Sequence, residues 1–241
     1  MRNTFKILIF FFSSFFYSNR KSKILFYHDV HNKKAYSSMS TSLKDFQQHI
    51  DLIHENKFEI VKKITNSHNQ VQIQFDDGFK GLYDCLPFIL KNKIFIELFV
   101  ITSRIGKKNY LSKEELITLH KTGLIKISSH THTHQNMSLL NDEVIDSEMI
   151  TSKNILEEIL KTSIDSICYP RGYFSKSVIS KANTLGYLHQ YSSLPGNYFD
   201  TFNTVYKRNL VQKTNKKMFT FLLFGAQNIF FKKYLSKHYK G

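Results

Sequence analysis

Short apolar runs alternate with stretches of helical spacing along the chain. Residues 24–28 read as a strand, residues 43–56 carry helical spacing, and residues 58–61 and 71–75 read as two more strands. A helix is expected over 82–91, then an apolar run at 95–101 interrupted by Glu97, the mark of a parallel strand covered on both faces. Ser112 with Glu115 three residues later forms a capping box that opens a helix ending near Gly123. A strand follows at 125–128, and Asn141 or Asp142 caps a long helix running towards Leu160. A strand at 164–169, a helix at 175–185 and strands near 187–192 and 205–210 complete the series. Strands alternating with helices predict a parallel α/β architecture, and the pattern fits an open sheet or a barrel equally.

Three of these strand-like runs end in polar residues. Phe75-Asp76-Asp77-Gly78 closes the run at 71–75, and Ser129-His130-Thr131-His132-Thr133-His134 closes the run at 125–128. Chemistry in α/β enzymes commonly sits at the C-terminal ends of strands, where loops vary without damage to the core. The spacing of His130 and His134 would place both rings on one side of a helical turn, with His132 pointing elsewhere. A carboxylate from the Asp-Asp pair completes a set of three protein ligands and leaves positions open, the mark of a catalytic rather than a structural metal site. Neighbouring side chains on an extended segment face opposite ways, so one Asp can enter the metal shell while the other acts as a base. Taken singly, Asp-Asp-Gly is an ordinary turn and the His-rich tract a polar loop. Together, each at the end of a strand, they point to catalysis. Residues 167–173 end a third run, and Pro170 and Gly172 bend a loop that can aim a backbone N–H at an oxyanion.

These segments, with Tyr27-His28-Asp29-Val30 and Phe99-Val100-Ile101-Thr102, resemble the polysaccharide deacetylase (NodB-homology) family of carbohydrate esterases over residues 24–212. The resemblance implies a distorted, incomplete (β/α) barrel and hydrolytic removal of an N-acetyl group from a sugar. It implies that Asp77, His130 and His134 hold a divalent cation, Zn2+ foremost, which activates water. It further implies that Asp76 is the general base and that the Arg171 backbone N–H stabilises the oxyanion. His28, Tyr169 and Pro170 are assigned to substrate contact. Two departures stand out. Many family members carry an Arg two residues before the proline of the third motif, where this chain has Cys168; Arg171 is the nearest cation that could replace it. Many also carry a late Leu-x-His that supplies the general acid, and no such motif occurs near Asn209-Leu210-Val211. His28 is a substitute, and His189 falls in the wrong place. A catalytically silent carbohydrate-binding protein, an O-deacetylase and a deaminase-like amidohydrolase are the rival readings.

A chain of 241 residues with 41% hydrophobic content supports one domain with a real core. Cys85 and Cys168 make no disulfide or metal pattern and read as buried thiols, which suits a reducing compartment. The net charge of +15 is concentrated at the ends. Residues 1–28 carry five Lys/Arg and residues 201–241 carry nine, with no acid in either, while the centre is nearly balanced. A basic groove for nucleic acid is therefore not indicated. Both ends are also aromatic. Residues 1–23 form a basic segment whose apolar stretch, residues 5–17, is shorter than the ~20 apolar residues of a spanning helix and suits a membrane surface or a signal. Residues 213–241 are expected to form a basic aromatic helix. The expected location is the bacterial cytoplasm, attached to an anionic membrane surface through both termini, with export through an N-terminal signal or anchor as the alternative. The expected substrate is a sugar of an envelope glycan or of its lipid-linked precursor.

Overall fold

The computed structural model describes residues 2–241. Seven strands form the main path of one parallel sheet, in the order β10 (His189–Tyr191), β8 (Ser166–Cys168), β7 (Ile125–Ser129), β6 (Ile96–Val100), β5 (Gln70–Phe75), β1 (Lys23–Tyr27), β11 (Asn209–Leu210). The short β4 (Glu59–Ile60) pairs beside β5. The sheet curls into an open half-barrel, as the resemblance implied. Its two outer strands are joined through residues 191–208, where the Ser192 N–H donates to the Tyr206 carbonyl and the Arg208 N–H to the Leu194 carbonyl.

The strands alternate more than their apolar look suggests. On β5, Val71, Ile73 and Phe75 face the helices, while Gln72 and Gln74 face the barrel interior with Glu97 and Ser128. Both faces are buried, so the sheet has an apolar outer core and a partly polar inner one. Glu97 gathers the interior: it accepts from Gln72, Gln74 and Ser128 and pairs with Lys126 at 3.4 Å. A buried carboxylate is tolerable only with such partners.

The helices cap and pack as their sequences dictate. Ser42 accepts from the Asp45 N–H to start α2 (Leu43–Glu55), whose Phe46, Ile50 and Ile53 enter the core. Each such side chain contributes roughly 1.5–3 kcal/mol on burial. The helix expected over 82–91 is split at Cys85 into α3 (Gly81–Asp84) and α4 (Leu86–Lys91), with Pro87 at the start of the second. The capping box of Ser112 and Glu115 opens α5 (Lys113–Lys121), and Asn141 rather than Asp142 caps α6 (Asp142–Leu160).

The two chain ends form one layer. The N-terminal α1 (Arg2–Tyr17) packs on α8 (Lys216–Leu223) and on a 3-10 turn at Ala226–Phe230. Ser13 Oγ donates to the Ala226 carbonyl at 2.6 Å, and Phe10 meets Phe230 edge-on. The single C-terminal helix expected over 213–241 is instead α8, that turn and α9 (Phe231–His238), and Phe219, Leu222 and Leu223 lie in the core. Among the described residues no helix is long and apolar enough to cross a membrane.

His49 ties α2 to this layer. Its ring stacks on Phe219 at 4.1 Å, Nε2 lies 2.9 Å from the Thr214 carbonyl, and Nδ1 lies 3.0 Å from the Tyr27 hydroxyl. Burial foremost pushes its pKa down to about 4, against the smaller opposing effect of the Thr214 carbonyl. The unfolded chain therefore binds a proton below about 6.5 that the folded chain refuses until about 4. Stability is lost as pH falls through that window, by about 2–3 kcal/mol between pH 7 and 4.5. Urea unfolding at both pH values should show His49→Gln shedding this share of the acid sensitivity; an unchanged pH slope in the variant would refute the assignment.

Candidate active site

The C-terminal ends of β5 and β7 lie two strands apart, separated by β6, and their loops converge over the barrel mouth. Asp76 follows the outward-facing Phe75 and so points into the barrel. Asp77 adopts a left-handed φ of 75° and Gly78 follows at 82°, which turns the second carboxylate towards β7. There Asp77 Oδ1 lies 3.5 Å from both His130 Nε2 and His134 Nε2.

The two imidazoles converge without the helical turn that their spacing suggested. Residues 130–134 form a loop, with Thr131 at φ 62° and His134 at φ 66°. Glu148 of α6 shapes it by accepting from the N–H groups of His132 and Thr133 at 2.9 and 2.8 Å and from the Thr133 hydroxyl. Nothing in the local sequence marks Glu148 for this task, because it lies a full loop away. His132 turns off to Thr102 Oγ1 at 2.9 Å.

Asp77 Oδ1 is buried and has no hydrogen-bond partner among the described residues. Burial raises the pKa of Asp77, and burial foremost pushes that of His134 down to about 3. His130 Nδ1 lies 2.7 Å from the Cys168 carbonyl, so that nitrogen carries the proton and Nε2 offers its lone pair towards Asp77. An orphaned carboxylate oxygen facing two imidazole nitrogens is a donor set that fits a divalent cation. A second cluster, Asp76, His130 and Cys168, fits one poorly. Both Asp76 oxygens are engaged by Arg208, burial raises the pKa of the Cys168 thiol, and the fixed positive charge of Arg208 would repel a cation.

Arg208 is the residue that the sequence did not disclose. It is buried inside the barrel, with Nη1 2.7 Å from Asp76 Oδ1 and Nη2 2.8 Å from Asp76 Oδ2. Its Nε donates to the Ser192 carbonyl, and its plane lies 4.2 Å from the Phe26 ring centroid. Burial alone would raise the pKa of Asp76, but the Arg208 charge and hydrogen bonds outweigh it and hold the carboxyl at about 2. Cys168 Sγ sits 2.7 Å from Arg208 Nη2, so the guanidinium fills the space beside the position where the family motif has its own Arg. Arg171, the substitute suggested by the sequence, does not pair with Asp76.

A cavity of about 410 Å³ opens over these groups, lined by Asp76, Asp77, His130 and His134 together with His28 and Arg171. Arg171 has a φ of 56° in the tight turn at Pro170–Gly172, and a Cβ on Gly172 would come within 1.8 Å of Ser193 Oγ, so glycine is required there. His28 Nδ1 lies 2.7 Å from Gln212 Oε1, which leaves Nε2 for the cavity. Gln212 stands two residues after Leu210, where the late family motif has its His. Tyr169 borders the cavity, but its ring stacks on Phe174 and its hydroxyl is bonded to Gln190, so its phenol is not free for substrate. Pro170 is buried and shapes the turn without lining the cavity.

A family model for polysaccharide deacetylase matches residues 63–189. A Bacillus subtilis protein that carries the polysaccharide deacetylase name, YxkH, is 27% identical over 187 residues, covering 73% of this chain and 66% of its own. The poly-beta-1,6-N-acetyl-D-glucosamine N-deacetylase of Staphylococcus aureus is 29% identical over 191 residues, covering 68% of this chain and 66% of its own. The chain thus spans just under two thirds of these relatives' length. Among solved structures, IcaB from Ammonifex degensii superposes with a TM-score of 0.75 at 20% identity, over 87% of this chain and 98% of that one. The Streptococcus pyogenes deacetylase PplD, in complex with acetate, superposes with a TM-score of 0.73 at 18% identity, over 85% and 98%. Both show the same fold.

Proposed function

Since the chain belongs to the polysaccharide deacetylase family, we propose that it is a metal-dependent hydrolase that removes the N-acetyl group from a sugar of a bacterial envelope glycan or its lipid-linked precursor. The observation that carries this reading is the unpartnered Asp77 Oδ1 held 3.5 Å from two imidazole nitrogens beside a second, separately paired carboxylate. Asp77, His130 and His134 would hold the cation, Zn2+ foremost, which when bound would acidify a water and polarise the acetyl carbonyl. Asp76 takes the proton of the attacking water, and Arg208 fixes its orientation. The Arg171 N–H, in the turn bordering the cavity, donates to the carbonyl oxygen as negative charge develops there. As the C–N bond breaks, His28, carrying protons on both ring nitrogens, gives the one on Nε2 to the leaving amine, while its Nδ1–H stays on Gln212 Oε1 and fixes the ring's orientation. Acetate and a free amino sugar result. The S. aureus relative's name points to a polymer of N-acetylglucosamine as the first substrate to test.

The test is release of acetate and of primary amine from N-acetylglucosamine oligomers, with Zn2+ and with a chelator. Release that stops on chelation, and is lost together with bound Zn2+ in Asp77→Ala and His130→Ala, is expected. Activity surviving chelation and both substitutions would refute the site. Acetate without amine would mean ester cleavage, and stoichiometric Zn2+ with no release from any glycan would favour a silent carbohydrate binder.

A further inference from the structure

A second cavity of about 490 Å³ adjoins the first. Leu210, Gln227 and Tyr234 line both, so the two share a wall. The second cavity has a divided lining. Phe10, Met218, Leu222 and Phe230 supply an apolar side, and Lys213, Lys233 and Lys237 supply charge, with no acidic residue in the lining. Lys233 and Lys237 are exposed, four residues apart on α9, and neither pairs with a carboxylate among the described residues. The unbalanced charge at the C-terminal end of the sequence is thus placed beside the mouth of the active site.

Gln227 stands at the junction. It is 92% buried, and its Oε1 has no hydrogen-bond partner among the described residues. A buried amide oxygen left unpaired is destabilising, so its position between two cavities points to a ligand donor that satisfies it. The apolar side continues outward. Phe10 of α1 faces the cavity, while Leu8, Phe12 and Phe16, each four residues apart, form an exposed stripe on another face of the same helix.

We infer that this second cavity is the subsite for a lipid-phosphate leader, so that the substrate is an N-acetylated sugar joined through phosphate to a hydrocarbon chain. The inference rests on the deacetylase reading and specifies its substrate class. The sugar spans the shared wall, with a hydroxyl donating to Gln227 Oε1. The phosphate meets Lys233 and Lys237, with Lys213 beside them, and the hydrocarbon lies along Phe10, Met218, Leu222 and Phe230. The apolar lining selects a lipid over a soluble sugar phosphate, since hydrocarbon is what gains from that surface. The outward stripe of α1 places the helix against the bilayer from which such a chain is drawn.

The test compares wild type with the double variant Lys233→Glu/Lys237→Glu, both positions being exposed and separate from the proposed chemistry. Binding is read by co-sedimentation with phosphatidylcholine vesicles carrying polyprenyl-pyrophosphate-linked N-acetylglucosamine. Controls are plain vesicles, anionic vesicles without the sugar, and free N-acetylglucosamine 1-phosphate as competitor. Acetate release is followed in parallel on the lipid-linked sugar and on soluble oligomers. Vesicle binding that needs the lipid-linked sugar and falls at least tenfold in the variant, with turnover of soluble oligomers unchanged, supports the subsite. Equal binding to anionic vesicles lacking the sugar would overturn it in favour of a surface anchor. Competition by N-acetylglucosamine 1-phosphate at equal concentration would overturn the lipid assignment. Specific binding without acetate release would leave the subsite standing and refute the hydrolase reading, while acetate release from soluble oligomers with no preference for the lipid-linked sugar would do the reverse.

Discussion

Asp76→Asn should leave Zn2+ bound and remove nearly all turnover, by a factor of about 10²–10⁴ in kcat. The cation ligands proposed here are Asp77, His130 and His134, and none is changed by the substitution. The amide lacks the charge that accepts a proton, and its NH2 group faces a guanidinium N–H where a carboxylate oxygen stood 2.8 Å away. Bound Zn2+ and thermal unfolding measured beside kcat separate lost chemistry from lost structure, and an unchanged rate would remove Asp76 as the base. His28→Ala makes the companion case. If His28 protonates the leaving amine, its loss should lower kcat strongly on an N-acetyl sugar and little on an activated acetate ester, whose nitrophenolate departs without a proton. Equal losses on both substrates would mean that His28 only shapes the cavity.

What the sequence disclosed and what it hid follow from how each feature is encoded. The parallel fold and most of its elements are written in local runs, and the capping residues Ser112 and Asn141 are where the pattern places them. The inner polar face of the barrel was obscured because Gln72 and Gln74 sit inside what reads as one apolar run. The structure brings His130 and His134 together beside Asp77, yet the geometry that unites them is a loop with two left-handed residues, held by Glu148 of α6. The cation beside Asp76 was sought near Pro170 because motif spacing is a local signal. It comes instead from Arg208, 132 residues from Asp76, at the entry to β11, whose place beside β1 is set only by the sheet topology. The C-terminal aromatic stretch looked like a membrane-seeking helix, because composition cannot tell a face that meets lipid from one that meets His49 and Phe58; in the fold Phe219 and Leu222 are core.

Arg208→Met should cost both stability and activity, and the two losses should separate. The substitution keeps an apolar side chain of similar reach against Phe26 and Phe99 but strands the Asp76 carboxylate in the barrel interior. Removing one partner of a buried ion pair costs about 3–5 kcal/mol, because the other charge is left without compensation. Urea unfolding should show a loss of that size. Adding Asp76→Asn to Arg208→Met removes the stranded charge, so the double variant should regain most of the stability while remaining inactive. The interaction energy of the cycle then measures the pair itself. A structural role alone predicts nothing further. A positioning role predicts that Arg208→Lys, which keeps charge but not the two-pronged grip, loses kcat with little change in KM. It also predicts that Cys168→Arg in the Arg208→Met background recovers part of the turnover, since Cys168 Sγ already lies 2.7 Å from the guanidinium it would replace. Full activity in Arg208→Met would show that Asp76 is held in place by the barrel wall without its cation.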